Sequence, residues 1–501
     1  LGRPAEISGP THGQDVCAAT RIFAKMSPEE DEELSILSTE SAMSNQDPGT
    51  ANQAHLSRRG FLKGATAAAL TAPIIIPASA LGKDGRAAPS ERIVMGCIGV
   101  GGRGTSNLRT FMGNKDVQIV AVADVEKESK RYYRGRTAGR EPARRLVDQY
   151  YSKHASGSHK GCKAYKDFRD LVARNDIDAV SIATPDHWHA VTSVAAISSG
   201  KDVYCEKPLA NSVFESRAVS DAAARHGRVV QTGSHERSNN NSRHAAELVR
   251  NGYIGKLKRV TIQMPCTEPH HNMVRKVTTV PDTEPVPAGL DYNFWLGHTP
   301  KVPYVPARHH FWWRFALTYG GGEMTDRGAH VIDLAQMAMA TEYTGPVEIE
   351  AKGVRGTGVY DTFMDYEFRN VFANGLEMIG TAKGPRGLKL EGSDGWIFVH
   401  VHGCRLEASD KSLLSTKVKD NEELLGRTSS HHRNFLDCVK SRETPFATAE
   451  IGHRSGSICH LNNIAMLLGR SLKWDPKAEK FHDDSEANEL LRPPMESGWV
   501  L

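Results

Sequence analysis

Arg92-Ile93-Val94-Met95-Gly96-Cys97-Ile98-Gly99-Val100-Gly101-Gly102-Arg103-Gly104 decides how this chain folds. Ile93, Val94, Met95, Cys97 and Ile98 make a short apolar run rich in strand formers, the composition of a fully buried strand. The run ends in glycines, and a helix-like segment, Thr105–Met112, follows. A second apolar run, Val117–Ala123, then stops at Asp124. Gly99, Gly101 and Gly104 keep the G-x-G-x-x-G spacing between a strand and a helix, with an acid about 20 residues on at the end of the next strand. Each part has a physical reason. The first glycine makes the tight turn, and the second lets backbone approach a pyrophosphate with no side chain in the way. The third lets helix and strand pack closely, and the helix N-terminus offers free N–H groups to phosphate. Gly102 and Arg103 lie in the same loop, and Asp124 is placed to take the hydroxyls of an adenosine ribose. The stretch predicts a dinucleotide site. A carboxylate at 124 repels a 2′-phosphate and favours NAD, while Arg103, Lys127 and Arg131 lie close enough in sequence to leave NADP open.

At 501 residues the chain is too long for one ordinary core, and two domains with tails are expected. Hydrophobic content of 39% and charged content of 24% are those of a globular protein, and a net charge of +4 points to no polyanion partner such as nucleic acid. The eight cysteines are scattered, without a C-x-x-C or a zinc spacing. Residues 1–56 are polar and read as a disordered leader. Ser57-Arg58-Arg59-Gly60-Phe61-Leu62-Lys63, the apolar segment Ala65–Ile76 and Pro77-Ala78-Ser79-Ala80 then make a twin-arginine export signal over 57–80, its apolar core too short to span a bilayer. The expectation is a protein exported, already folded, to the periplasm, with no membrane anchor in its mature form.

From Arg92 onward, strands alternate with helices. A basic, polar insertion, Arg131–Lys163, reads as a solvated face. Strand Ala179–Ala183 runs into Thr184-Pro185-Asp186-His187-Trp188-His189, strand Asp202–Cys205 runs into Glu206-Lys207-Pro208, and strand Arg228–Thr232 closes the pattern. Such alternation implies a doubly wound parallel sheet, a Rossmann domain over 91–232, whose ligands lie beyond the carboxyl ends of the strands. That edge carries Gly99–Gly104, Asp124, Thr184–His189 and Glu206–Pro208. Beyond residue 233, alternating runs such as Leu257–Met264, Val347–Val354, Asp365–Phe372, Leu376–Thr381 and Trp396–Val401 predict an open, largely antiparallel sheet. This α/β domain covers 233–482, its helix Ala449–Leu468 returning to the first domain, and 483–501 reads as an irregular tail. Asp186 to His189, His270-His271 and His309-His310 close no coordination set by spacing, so no metal is expected. Tyr304, Trp312 and Trp313 fit either a sugar-stacking surface or core.

Glu206-Lys207-Pro208 after a Rossmann strand, the Thr184-Pro185-x-x-x-His189 turn, and Gly320-Gly321-Gly322-Glu323-Met324-Thr325-Asp326-Arg327-Gly328-Ala329-His330 together resemble the glucose–fructose oxidoreductase / inositol dehydrogenase / MocA family. The resemblance runs from about Arg92 to the C-terminal tail and includes the Asp291–Tyr304 segment. It implies hydride transfer with Lys207 hydrogen-bonding the reacting hydroxyl, its pKa depressed by burial near another cation. It implies His330 as acid/base and Asp326 as its orienter or a substrate ligand, the two meeting across one helical turn. Thr184, Pro185, His189 and Glu206 would join Lys207 around the cofactor, with His189 and Thr184 near the nicotinamide ribose and Lys207–Pro208 cis. Arg327 stands where relatives often carry an aromatic or aliphatic residue. Relatives often assemble as homo-oligomers through the open sheet.

These readings predict an exported NAD(P)-dependent oxidoreductase acting on a sugar, cyclitol or sugar derivative. Outside the cytoplasm no NAD pool refreshes a dissociating coenzyme, so the cofactor is expected to stay bound and be recycled internally. A glycosidase working by transient oxidation and elimination is the alternative, and a cofactor-bound binding protein without turnover the third.

Overall fold

The computed structural model describes residues 91–154, 161–402 and 404–501. The leader and the twin-arginine segment lie outside the described residues. One unit, residues 93–147 and 161–501, carries both sheets. The first sheet holds β1 (Ile93–Ile98), β2 (Val117–Ala123), β5 (Lys163–Tyr165), β6 (Ala179–Ile182), β7 (Asp202–Cys205) and β8 (Val230–Thr232). A two-stranded ribbon of β3 (Ser129–Tyr132) and β4 (Arg136–Ala138) stands apart from it. All six residues of β1 are buried, as a central strand covered on both faces requires. The strand order is β5-β2-β1-β6-β7-β8 and every pairing is parallel. The order reverses between β1 and β6, and at such a switch the loops leaving the two strands diverge and open a crevice.

The second sheet contains β9 (Leu257–Gln263), β10 (Pro346–Arg355), β11 (Phe363–Phe372), β12 (Glu377–Thr381), β13 (Gly387–Gly392), β14 (Trp396–His400), β15 (Leu406–Ala408), β16 (Leu472–Asp475) and β17 (Lys480–Phe481). Its order is β15-β14-β13-β9-β12-β11-β10-β16-β17, antiparallel throughout except for β9 with β12. Tyr366, Phe368, Leu388 and Leu390 project from it onto the buried helix Gly328–Met339 and the helix Asn240–Arg250, forming one core. Helix Ala449–Leu468 packs back on helix Val213–His226 of the first domain, and His460 Nε2 lies 3.0 Å from the Ala210 carbonyl. Tyr304, Trp312 and Trp313 are buried, so they serve as core. The seven described cysteines are buried free thiols. Among the described residues no helix is long and apolar enough to cross a membrane.

Four expectations need correction or completion. The first helix begins at Gly102, three residues before Thr105, so the third glycine lies inside its first turn. The basic insertion after Asp124 has the exposed charges of the solvated face it was read as, but it also carries regular elements. It supplies the β3–β4 ribbon, the helix Arg140–His154 and the edge strand β5, whose charged residues hid three-residue pairings. The helix after Pro185 starts at Asp186, so Asp186 to His189, read as part of the Thr184–His189 turn, form its first turn. The tail is anchored: it forms helix Ser485–Glu489, and the Trp499 ring meets Trp188 edge-on at 5.0 Å.

Candidate active site

The loop leaving β1 carries its glycines for distinct reasons. Gly99 has φ +75°, and a Cβ there would lie 2.7 Å from the Ala183 backbone at the end of β6. A Cβ on Gly104 would stand 1.8 Å from the Gly99 carbonyl oxygen, so only glycine lets the helix sit this close to the strand. Gly101 departs from expectation. The space a side chain would take there is filled by the Tyr132 ring of β3, 2.6 Å from the ideal Cβ, and that ring packs on His310 at 4.1 Å. The open position is Gly102, with nothing within 4 Å of its Cβ direction. The helix starting there has no side-chain cap, so its first N–H groups stay available to an anion.

Asp124 faces this loop. Its Oδ2 accepts from the Val100 N–H at 2.8 Å and its Oδ1 from the Glu126 N–H at 2.9 Å. Each carboxylate oxygen keeps a lone pair for a further donor. Thr184, at the end of β6, has a buried hydroxyl with no partner among the described residues. An open glycine, an uncapped helix start, an acceptor with spare capacity and an orphaned hydroxyl on one crevice fit a dinucleotide. Burial pushes the Asp124 carboxyl up to about 6, against the lowering effect of its two backbone N–H bonds and of Arg140. Ribose hydroxyls donate best to the ionised form. NAD affinity is therefore expected to rise as pH climbs through about 6 and to level off above it. Calorimetric titration across that range checks this, and Asp124→Asn should flatten the profile.

Glu206 and His189 tie segments of the site together. Glu206 Oε1 accepts from Arg103 Nε at 2.9 Å and from Asn107 Nδ2 at 2.8 Å, tying the glycine-loop helix to the end of β7. Burial alone would raise its carboxyl, but Arg103 and Asn107 hold it down at about 2. His189 is buried, with Nδ1 2.7 Å from the Pro208 carbonyl and Nε2 3.0 Å from the Thr184 carbonyl. The neutral ring has one N–H, so it donates to one of these two carbonyls. His189 thus bridges the Thr184-Pro185 turn and the Glu206-Lys207-Pro208 segment. Pro185 caps the helix Asp186–Ser198, and the Lys207–Pro208 bond is cis.

Lys207 projects from the carboxyl end of β7 and donates to Asp326 Oδ1 and to its carbonyl oxygen, both at 2.5 Å. Its direct partner is a carboxylate, which a second cation shares. Arg314 Nε lies 3.4 Å from the other Asp326 oxygen. Burial alone would raise the Asp326 carboxyl, but Lys207 and Arg314 hold it well below the usual carboxylate range. Asp326 and His330 do not share one helical turn. Asp326 ends the short helix Glu323–Asp326, Arg327 intervenes, and His330 opens onto the next helix. His330 is buried, its Nδ1 has no partner among the described residues, and its ring faces His235 at 4.6 Å. Burial, reinforced by His235 and Lys207, drives its pKa well below the ordinary value, so it stands as a neutral acceptor. Asp326 therefore orients Lys207, and His330 reaches the site from a second direction. Arg327 points away into an ion network with Glu268 and with Glu323, 3.2 Å from the latter.

Sequence reasoning missed His235 and Glu236, which follow β8 at the same carboxyl edge, and His402 beyond β14. The rule that ligands sit past strand ends applies to β8 as well and would have singled out the first two. Two groups of potential ligand atoms come together in space, which spacing within single histidine runs does not show. His235, Glu236 and His402 bring three ligand atoms within 4.8 Å of one another, as do His270, His271 and Glu323.

A parallel Rossmann-type sheet thus carries Lys207 at the carboxyl end of one strand, paired with Asp326 of the domain built on the second sheet. Residues 93–234 match the family model "Oxidoreductase family, NAD-binding Rossmann fold" and residues 238–501 match "Oxidoreductase family, C-terminal alpha/beta domain". The chain belongs to the Gfo/Idh/MocA oxidoreductase family, and its first domain is an NAD-binding Rossmann domain. It is 31% identical over 189 residues to a "Glycosyl hydrolase family 109 protein" of Shewanella sp. (strain W3-18-1), spanning 34% of this chain and 38% of that protein. It is 30% identical over 162 residues to an inositol 2-dehydrogenase of Salmonella typhimurium, spanning 32% and 42%. The match thus spans less than half the length of either curated relative. The crystal structure of aldose-aldose oxidoreductase from Caulobacter crescentus complexed with glycerol shares the fold at a TM-score of 0.54 and 18% identity, covering 76% of this chain and 99% of that one.

Proposed function

We propose that this protein moves a hydride between NAD and a hydroxyl-bearing carbon of a sugar, cyclitol or sugar derivative. The observation that carries the reading is the Lys207–Asp326 pair at 2.5 Å, set at the carboxyl end of β7 beside a buried His330 whose Nδ1 has no partner among the described residues. NAD supplies the hydride acceptor when bound. Removing the hydride requires the hydroxyl proton to leave as well. Lys207 Nζ donates to the reacting oxygen, and the neutral His330 takes up the proton, while Asp326, itself held by Arg314, keeps the ammonium in place. The paired arginines, short apolar core and Pro77-Ala78-Ser79-Ala80 support export in the folded state, and export supports a cofactor that stays bound and returns to its starting oxidation state in each cycle. Assembly as a homo-oligomer through the open sheet belongs to the same reading.

A second reading, transient oxidation leading to glycosidic cleavage, is favoured by one observation, the likeness to a glycosyl hydrolase family 109 protein. The test is a denaturing extraction of the purified protein followed by mass spectrometry of the released nucleotide, then incubation with a panel of sugars, cyclitols and glycosides. Stoichiometric NAD(H) and a keto product are expected. Release of a free sugar with no net redox change would replace the first reading with the second. A protein that is empty and takes up neither nucleotide on titration would overturn both.

A further inference from the structure

His235, Glu236 and His402 hold a group arrangement that hydride chemistry does not require. His235 Nε2 lies 3.3 Å and His402 Nδ1 3.1 Å from the same oxygen, Oε1 of Glu236. The backbone N–H of His402 donates to that oxygen as well, at 3.2 Å, and the Cys404 thiol donates to Oε2. Glu236 is buried, at 3% exposure, and its partners are unlike those of the neighbouring buried carboxylates. Glu206 has Arg103, Asp326 has Lys207 and Glu323 has Arg327. Among the described residues no lysine or arginine pairs with Glu236, whose charged-group contacts are imidazoles. A buried carboxylate without a matched cation is costly.

We infer that His235, Glu236 and His402 form a binding site for a divalent transition-metal cation of the zinc class, at the seam between the two sheets. Tetrahedral ligands about 2.0–2.1 Å from zinc stand about 3.3 Å apart, and the two nitrogen-to-oxygen separations here match that spacing. Two imidazoles and a carboxylate are the ligand types that zinc takes in sites with three protein ligands, which keep a fourth position open. The His330 ring lies 4.6 Å from His235 and 6.1 Å from His402, so the open position adjoins the reacting edge of the crevice. A cation there neutralises Glu236 and, on the hydride-transfer reading, gives a substrate oxygen an electrophilic contact beside His330. The ligands come from the end of β8 and from the segment after β14, so the ion also ties the two sheets together. The other triad, His270, His271 and Glu323, lacks this character. Arg327 already sits 3.2 Å from Glu323, so the charge of that carboxylate is matched.

The full chain, dialysed against a chelator, is titrated with Co2+ as an optical probe and then with Zn2+ as competitor, with NAD binding measured in parallel. One ion per chain is expected, with a visible cobalt spectrum that zinc abolishes and a rise in Tm with zinc concentration. His402→Ala should weaken metal binding by ~100-fold or more, beyond the ~10–100-fold that loss of an outer-shell partner costs, while NAD binding persists. His402 is solvent-accessible, its side chain 39% exposed, so the variant is expected to fold. Glu236→Gln reads the carboxylate independently, and His271→Ala should leave the cobalt spectrum unchanged. Absence of stoichiometric uptake, or loss of binding in His271→Ala with retention in His402→Ala, overturns the site. Because NAD binding is read separately, failure here leaves the hydride-transfer reading standing, and failure of NAD binding leaves the metal site standing.

Discussion

Lys207→Met is expected to lower kcat by ~10²–10⁴, the range that a positioned proton-transfer group contributes. The methionine chain nearly preserves the volume of the lysine stem and removes only the ammonium that Asp326 holds at 2.5 Å. Asp326 does not become an orphaned buried charge, since Arg314 remains 3.4 Å from its other oxygen. The variant should therefore fold and bind NAD as the unaltered protein does, because the glycine loop, Asp124 and Thr184 are untouched. Loss confined to the chemical step lowers kcat and kcat/KM together. The measurement is single-turnover reduction of bound NAD by the sugar or cyclitol that the unaltered protein oxidises fastest, with nucleotide content checked by extraction. Turnover at the unaltered rate would remove Lys207 from the route of the proton.

Gly104→Ala carries the largest expected structural effect. Its Cβ would lie 1.8 Å from the Gly99 carbonyl oxygen, a backbone atom that no rotamer change can move aside. Relief requires the helix Gly102–Met112 to shift away from β1, which strains a packed core by ~1–3 kcal/mol or more and turns the helix N-terminus off the phosphate position. The expected result is a lower urea midpoint and protein recovered without nucleotide. Gly102→Ala separates the two effects. Nothing lies within 4 Å of its Cβ direction, so stability should hold while the added methyl, on the open face of the loop, weakens NAD binding. Equal stability for Gly104→Ala and the unaltered chain would show that close packing at the third glycine is not what holds this loop.

The legible part of this protein was local. An apolar run, a glycine loop, a second run ending in Asp124 and a Lys at the end of β7 are features of neighbouring residues, and their conformations follow from them. Gly99 at φ +75° needs a residue without Cβ, and period-two apolar patterns gave β9 to β12 and β14 within a residue or two. Short strands such as β5 and β15 carry only three residues, too few for a pattern to rise above the charges around them. Side-chain roles were less legible. His189 was expected at the cofactor because it follows the Thr184-Pro185 turn; that its ring lies between two carbonyls is set by helix packing and not by spacing.

The amino-acid sequence by itself determined the dinucleotide loop, the alternation of the longer strands with helices and the position of Lys207 at a strand end, because each rests on patterns among residues close in the chain. The tertiary structure decided that Asp326 serves Lys207, that Tyr132 fills the space at Gly101, and that His402 meets Glu236 across 166 residues. Those contacts depend on how separate elements pack against one another, and convergence over such separations leaves no periodicity in the sequence to read.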